Sequence, residues 1–510
     1  MRLYRTLGIL LLILLCSRVW ADNIVLPPVA SRANNQAVSP AADSTYLHTT
    51  LHFAEKYDIN TPLSNGETQT YTSEGAYSMS ALINVANVNK FDSIVVASYN
   101  KKATYRPKAI VNGKIITGLF DGATLSITHY GQDPVEIEYI CTGIMPIPGQ
   151  RIAQNKDSQY GKSWRCMVNA VCDERTEIIR RSVCRLIVGG TELGTGTLIN
   201  NANEDKRPYV LTAAHVFNRR PDATIQALFG FEVESCMYPT EPDEANTHTI
   251  NGLKILCYYP EYDIALFELT ETPSETVNPY WSGWDITGEI DDQAEYTCIH
   301  QPYGDVRKVS IGTNIKLDDY SITGATPPEG GSFARNIHYN IQTWTIGTTQ
   351  GGSSGSGLWN TDNKLIGTLS GGYGSCSYLG DDYYAALAKA WDKKKGEYMS
   401  LQEVLDPDNI GLDKLTGRDL YSKESATTET ECEDQEVTIV RENGSATILA
   451  NNISDIKIYS LDGRLLDHTK VDTQGQNEIT VNTTNWTNKL ILITVKYNCG
   501  KEETIKIKTK

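Results

Sequence analysis

CRLIVGGTELGTGTLINNANEDKRPYVLT, residues 184–212, holds three apolar runs of strand length: Cys184-Arg185-Leu186-Ile187-Val188, Thr197-Leu198-Ile199 and Tyr209-Val210-Leu211-Thr212. Turn-forming residues separate them. The same pattern continues at Ile264-Ala265-Leu266-Phe267 and Lys364-Leu365-Ile366-Gly367, and long helical periodicity is missing. Short strands recurring with turns over residues 163–420 predict an all-β sandwich or a pair of barrels. From Tyr384 through Trp391 to Leu405, Ala and Lys replace the β-branched residues, so a closing helix is expected.

Composition bounds the rest. The chain has 510 residues, 40% hydrophobic and 21% charged. That is too apolar for a disordered chain, and at roughly 150 residues per domain it suggests about three units. Lys and Arg number 46 against 62 Asp and Glu, a net charge of −16. This argues against a nucleic-acid binder, which needs clustered cations. No interior run is long and apolar enough to predict a membrane span. At the start, Met1-Arg2-Leu3-Tyr4-Arg5 is basic, Leu7 to Cys16 is apolar, and Val19-Trp20-Ala21 ends on a small residue. Residues 1–21 therefore read as a secretory signal. Without Cys16, ten of the 11 cysteines remain. Export permits disulfides, and pairing is expected over buried free thiols. No Cys-x-x-Cys pair occurs, and neither a metal site nor an organic cofactor is indicated.

Residues 22 to about 70 are polar and read as loop. Short strands follow to about Pro146, at Ser93–Val96, Ala109–Val111, Thr124–Ile127 and Val135–Tyr139. Residues 421–436 are acidic and Thr-rich, a linker. Residues 437–510 are again strand-like, with Ile456, Ile458, Ile505 and Ile507 alternating against Lys457 and Lys506.

Three strings in the large β segment carry chemistry: Leu211-Thr212-Ala213-Ala214-His215, Tyr262-Asp263-Ile264-Ala265-Leu266 and Gly351-Gly352-Ser353-Ser354-Gly355-Ser356-Gly357. Each alone has a bland reading: a structural histidine, a turn aspartate, a flexible loop. Together they supply what acyl transfer by a hydroxyl requires. A base takes the proton, an acid holds that base in one tautomer, and a glycine turn exposes backbone N–H groups to an oxyanion.

These strings resemble the chymotrypsin-like serine peptidases, and most closely the bacterial lysyl endopeptidase family. The resemblance runs from about Cys166 to Pro407. It includes Cys166…Cys172, Gly196-Thr197-Leu198-Ile199-Asn200-Asn201, Thr212-Ala213-Ala214-His215, Asp263, Trp281-Ser282-Gly283-Trp284-Asp285, Gly352-Ser353-Ser354-Gly355-Ser356 and Ser370-Gly371-Gly372-Tyr373-Gly374-Ser375-Cys376. It implies a double β-barrel with the site in the crevice between barrels. Ser354 would be the nucleophile, with Ser356 the less favoured choice. His215 would be the general base and Asp263 its orienter, and the N–H groups of Gly352 and Ser354 would form the oxyanion hole. It also implies disulfides Cys166–Cys376 and Cys172–Cys236.

Specificity follows from the same resemblance. Trypsin-type enzymes place a carboxylate six residues before the nucleophile, where this chain has Thr348. The lysyl endopeptidase family places an Asp beyond a Gly-Gly and a Cys, and here Asp381-Asp382 follow. Spacing to Tyr383 selects Asp381, and spacing to Tyr384 selects Asp382, which ranks second. Ser370 stands where the family and its glutamyl-specific relatives have a histidine, which disfavours acidic substrates. Residues Thr323 to Gly331 lack the family's tryptophan, and Val216 replaces the cysteine after the catalytic histidine. Cys184, Cys257 and Cys298 have no family partners.

The flanks fit a secreted zymogen. Residues 22–162 resemble a pro-region, with Lys156 and Lys162 as self-cleavage points. Residues 437–510 resemble the C-terminal sorting domain of the type IX secretion system, although Leu490–Ile493 replaces its Gly-x-Tyr strand. The resemblance thus implies a secreted or surface serine endopeptidase cutting proteins or peptides after Lys or Arg, with the secretion machinery as a partner. The alternative is a non-catalytic surface adhesin or binding protein on a peptidase fold.

Overall fold

The computed structural model describes residues 22–29, 50–85, 91–147, 162–217, 220, 223–236, 246–320, 332–419, 437–442, 444–451, 453–460, 465–470, 476–486, 489–497 and 502–509. The signal segment, Lys156, the acidic linker, residues 323–331, Cys432 and Cys499 lie outside them.

The fold is all-β, with two closed barrels of six strands and few helices, consistent with a chymotrypsin-like double barrel. In the first barrel the hydrogen-bonded order is Val183–Val188, Ile225–Phe229, His248–Tyr259, Ile264–Leu269, Tyr209–Thr212 and Glu192–Leu198. The last strand returns to the first, Val183 opposite Thr197. In the second barrel the order is Gly357–Trp359, Tyr296–His300, Lys308–Asp318, His338–Ile346, Asp382–Ala386 and Lys364–Gly372, closed by Gly357 opposite Thr368. The opening sequence stretch thus forms three strands of the first barrel.

Each barrel fills its interior with its own apolar set: Leu186, Val188, Phe217 and Phe267 in the first, Ile341, Trp344, Leu369 and Tyr384 in the second. A third cluster joins them, with Ile199, Leu211 and Leu266 against Trp284, Val309 and Trp359. The Trp281–Asp285 segment is the strap across this seam. Ser282 N–H donates to Leu198 O at 2.9 Å, and Trp284 Nε1–H donates to Asn200 O at 3.0 Å. Buried indoles are tolerated because each N–H finds an acceptor.

The single closing helix divides in two. Tyr384 to Ala386 belong to the strand Asp382–Ala386, and the helices are Leu387–Ala390 and Leu401–Leu405. Barrel closure overrides helix propensity for the first, while Ser400 and Glu403 form a capping box for the second.

The N-terminal residues form two further sheets of five strands each. Two expectations fail here. The stretch read as loop contains the strands Ala54–Leu63 and Thr68–Thr72, whereas Ala109–Val111 forms no strand. Ala54–Leu63 is buried only at its two ends, with half-buried and exposed residues alternating between them, so its polar face disguises it. Cys166 is bonded to Cys376 and Cys172 to Cys236, but Cys141, Cys184, Cys257 and Cys298 are buried free thiols. Cys184 and Cys298 sit in separate barrel interiors, packed as small apolar residues.

Residues 422–510 make a separate compact unit. It has a three-stranded and a four-stranded sheet around Ile448, Ile456, Ile458, Ile491, Ile493 and Val495. Among the described residues no helix is long and apolar enough to cross a membrane.

Candidate active site

His215 lies in the short 3-10 turn Ala214–Phe217, directly after the strand Tyr209–Thr212. Asp263 ends the turn Pro260–Tyr262 with a left-handed φ of 53°, just before the strand Ile264–Leu269. Those two strands are neighbours, so the turns that follow and precede them fall side by side. Asp263 Oδ1 accepts the His215 backbone N–H at 2.9 Å, and Oδ2 accepts Nδ1–H at 2.8 Å. The carboxylate is fully buried. Its two bonds fix Nδ1 as the protonated nitrogen and leave the Nε2 lone pair to act as a base. Nε2 has no hydrogen-bond partner among the described residues.

Ser354 comes from the second barrel, on the turn before Gly357–Trp359. Gly352 and Gly355 have φ of 93° and 81°, where side chains are strained. A Cβ on Gly355 would stand 2.0 Å from Thr212 Oγ1 and 2.6 Å from Thr195 O. The glycine therefore lets the Ser354 turn press onto the first barrel. Thr195 N–H donates to Ser354 O at 2.8 Å across that junction. Among the described residues Ser354 Oγ is buried without a hydrogen-bond partner, and neither the Gly352 nor the Ser354 N–H donates to another group. Ser356, the other candidate, instead holds Cys298 Sγ at 3.4 Å in the core.

Behind the turn, Ser353 Oγ contacts His300 Nδ1 at 2.6 Å and accepts the Gln350 N–H at 3.1 Å. Tyr303 N–H donates to Gly351 O at 2.7 Å. His300 was not foreseen, because a histidine on a strand carries no local signal of its partner.

Asp381 and Asp382 occupy different environments. Asp382 is fully buried, with Oδ2 accepting from Trp344 Nε1 at 2.7 Å and Thr349 Oγ1 at 2.8 Å, and Oδ1 from Gly374 N–H at 3.0 Å. These donors are neutral, orienting the carboxylate without cancelling its charge. A Cβ on Gly374 would meet Thr348 Oγ1 and Asp382 Oδ2, both at 2.5 Å, so Thr348 and Asp382 flank one point. Asp381 is half-exposed and takes hydrogen bonds from Asn340 and Tyr378. The Tyr378 hydroxyl is pushed up to about 12, chiefly by that bond.

Ser370 is not isolated. His338 Nε2 lies 3.1 Å from its Oγ, and Tyr320 stacks on the His338 ring at 5.0 Å. A histidine on the strand His338–Ile346 and an aromatic ring just beyond the strand Lys308–Asp318 thus reach this place. Burial pulls the His338 imidazole down to about 4, although Asp263 and Asp319 oppose this.

At the start of this domain Lys162 is exposed and Ser163 is buried. Ser163 Oγ donates to Asp305 Oδ2 at 2.7 Å, and Trp164 N–H donates to Gln350 Oε1 at 3.1 Å.

Residues 160–385 match the family model "Lysyl endopeptidase, C-terminal domain". A lysyl endopeptidase of Pseudomonas aeruginosa is 30% identical over 253 residues, 46% of this chain and 52% of that protein. The chain thus spans about half the length of that relative. Among solved structures, the inactive form of Rv3671c from M. tuberculosis H37Rv aligns over 44% of this chain and 90% of its own, at 15% identity and a TM-score of 0.29. A second crystal structure of the inactive Rv3671c protease aligns over 43% and 93%, at 17% identity and a TM-score of 0.28. This chain resembles a lysyl endopeptidase over its double barrel.

Proposed function

We propose that the protein is a serine endopeptidase that hydrolyses peptide bonds after basic residues, Lys before Arg. One observation carries the reading: both oxygens of buried Asp263 hold His215, while His215 Nε2 and Ser354 Oγ are left unbonded. The Ser354 proton passes to His215 Nε2 as Oγ bonds to the scissile carbonyl carbon. The N–H groups of Gly352 and Ser354 receive the oxyanion. Collapse breaks the C–N bond, and the imidazolium gives its proton to the leaving amine. Water then repeats the sequence and frees the acid.

The carboxylate that receives the basic side chain is, in this reading, Asp382 rather than Asp381. Its burial beside Thr348 and Gly374 supports this, and a cation entering such a site is offset by a charge already fixed. Residues 1–21 act as the export signal, 22–162 as pro-region and 437–510 as the sorting domain that meets the secretion machinery. Maturation falls at the Lys162–Ser163 bond, since Lys162 is the exposed basic residue before a chain start that is already docked.

The unbonded pair also favours a second reading, a binding protein that keeps the fold without turnover. Reaction with a fluorophosphonate decides. Stoichiometric labelling of Ser354, absent in Ser354→Ala, supports the peptidase, and no labelling of the processed chain overturns it. Mass spectrometry of products from one unfolded protein then reads the residue before each cut.

A further inference from the structure

The N-terminal unit adds a strand to the sheet of the closed first barrel. Its strand Leu51–His52 runs antiparallel to the edge Glu192-Leu193, with His52 opposite Glu192. The Phe53 N–H continues the ladder to Thr191 O at 2.9 Å. Phe53, Ala54, Cys141 and Ile147 pack with Ile187 and Leu193 of the barrel in one buried cluster. The contact is therefore an added strand backed by an apolar plug, two features by which a separate peptide docks on a sheet edge.

A charged pair sits at the end of this seam. The Glu192 side chain is 3% exposed, and His52 Nδ1 lies 2.7 Å from its Oε1. Thr191 Oγ1 donates to the same oxygen at 3.3 Å, and Arg220 Nη2 stands 3.9 Å away. Glu55 faces the other ring nitrogen at 3.6 Å. With the strand in place, Glu192 is taken out of water, which is costly for a carboxylate unless a cation compensates it. A protonated His52 is the nearest compensator.

Resting on the reading of residues 22–162 as a pro-region, we propose that this unit is a separable partner of the first barrel, docked by strand addition and latched by the His52–Glu192 pair, and that the latch loosens as pH rises. The His52 imidazole is held above its ordinary value, chiefly by the hydrogen bond to Glu192, against partial desolvation. Docking thus takes up a proton. The latch has full strength below the free imidazole range and is lost as pH rises through the docked one.

Cys141 offers the readout. Its thiol is buried in the plug and donates to Gly189 O at 3.7 Å, so modification requires undocking. The full-length chain carrying Ser354→Ala, which cannot process itself, is treated with a small methanethiosulfonate, and labelling at Cys141 is followed by peptide mass spectrometry. Comparing His52→Gln with its parent at each pH cancels the intrinsic pH dependence of the thiol. The variant should label several-fold faster at about pH 5.5 and at the parent's rate by about pH 9. Glu192→Gln, which keeps a hydrogen-bond acceptor without charge, should lose the same pH dependence. Cys257, in the seam between the barrels, reports global opening and should stay protected. A ratio of one at every pH overturns the latch, and labelling of the parent as fast as the urea-unfolded chain overturns the docking. Neither result touches the fluorophosphonate test, which reads Ser354.

Discussion

Asp263 meets His215 at two points, accepting the backbone N–H at 2.9 Å and Nδ1–H at 2.8 Å. The double contact fixes both the position of the residue and the tautomer of its ring. Asp263→Asn would present an amide that can donate to Nδ1 and so turn the proton to Nε2. The base is then lost while the shape is kept. With the processed enzyme, kcat on a lysyl peptide amide should fall by about 10^3–10^4-fold with little change in KM. An undiminished kcat would remove Asp263 from the mechanism.

Asp382→Asn and Asp381→Asn separate two neighbours. An incoming ammonium left without its carboxylate loses about 3–5 kcal/mol, so Asp382→Asn should lower kcat/KM for a lysyl substrate by about 10^2–10^4-fold. The amide oxygen still accepts from Trp344 or Thr349, and cleavage of a substrate with an uncharged side chain at that position should be spared. Asp381→Asn should change basic-substrate turnover by less than about threefold, the range of an exposed pair. The opposite ranking in steady-state kinetics would return the assignment to Asp381.

Sequence signals were strong where chemistry is local and weak where it depends on register. The runs at 184–188 and 209–212 alternate or cluster as strands must, and the three strings around His215, Asp263 and Ser354 each stay within a few residues. Spacing alone ranks Asp381 ahead of Asp382, but which of two adjacent carboxylates is buried depends on how the strand beginning at Asp382 pairs, and that is not local to the sequence. Trp344, 38 residues from Asp382, is one of the groups that hold Asp382 in the interior. His338 reaches Ser370 from a strand 32 residues away for the same reason. The free thiols were misread because counting cysteines gives parity, whereas bonding needs Cα atoms within about 7 Å.

Gly355→Ala tests the junction between the Ser354 turn and the first barrel. The new methyl would stand 2.0 Å from Thr212 Oγ1 and 2.6 Å from the Thr195 carbonyl oxygen, at a φ of 81°. Backbone strain and overpacking together should cost about 3 kcal/mol or more. Urea denaturation should show the lower midpoint, and any folded fraction should label poorly with fluorophosphonate. A variant as stable and reactive as its parent would contradict the packing described.

His338 sets a pH limit on stability. Its ring is fully buried between Ser370 and Tyr320, and burial pulls it down to about 4, with Asp263 and Asp319 opposing. In the unfolded chain the imidazole titrates near its ordinary 6.5, so between the two values the unfolded state binds the extra proton. Stability contributed by the neutral ring is present above 6.5 and is lost as pH falls toward 4, a change of about 3 kcal/mol in total. His338→Phe keeps an apolar ring at the stack but cannot charge. It should be less stable than its parent at neutral pH, because Ser370 Oγ loses its partner, and its stability should fall less steeply with acid by about 1.4 kcal/mol per pH unit in that window. Urea midpoints across the acid range measure both slopes. Parallel slopes would show that His338 is already charged in the folded protein.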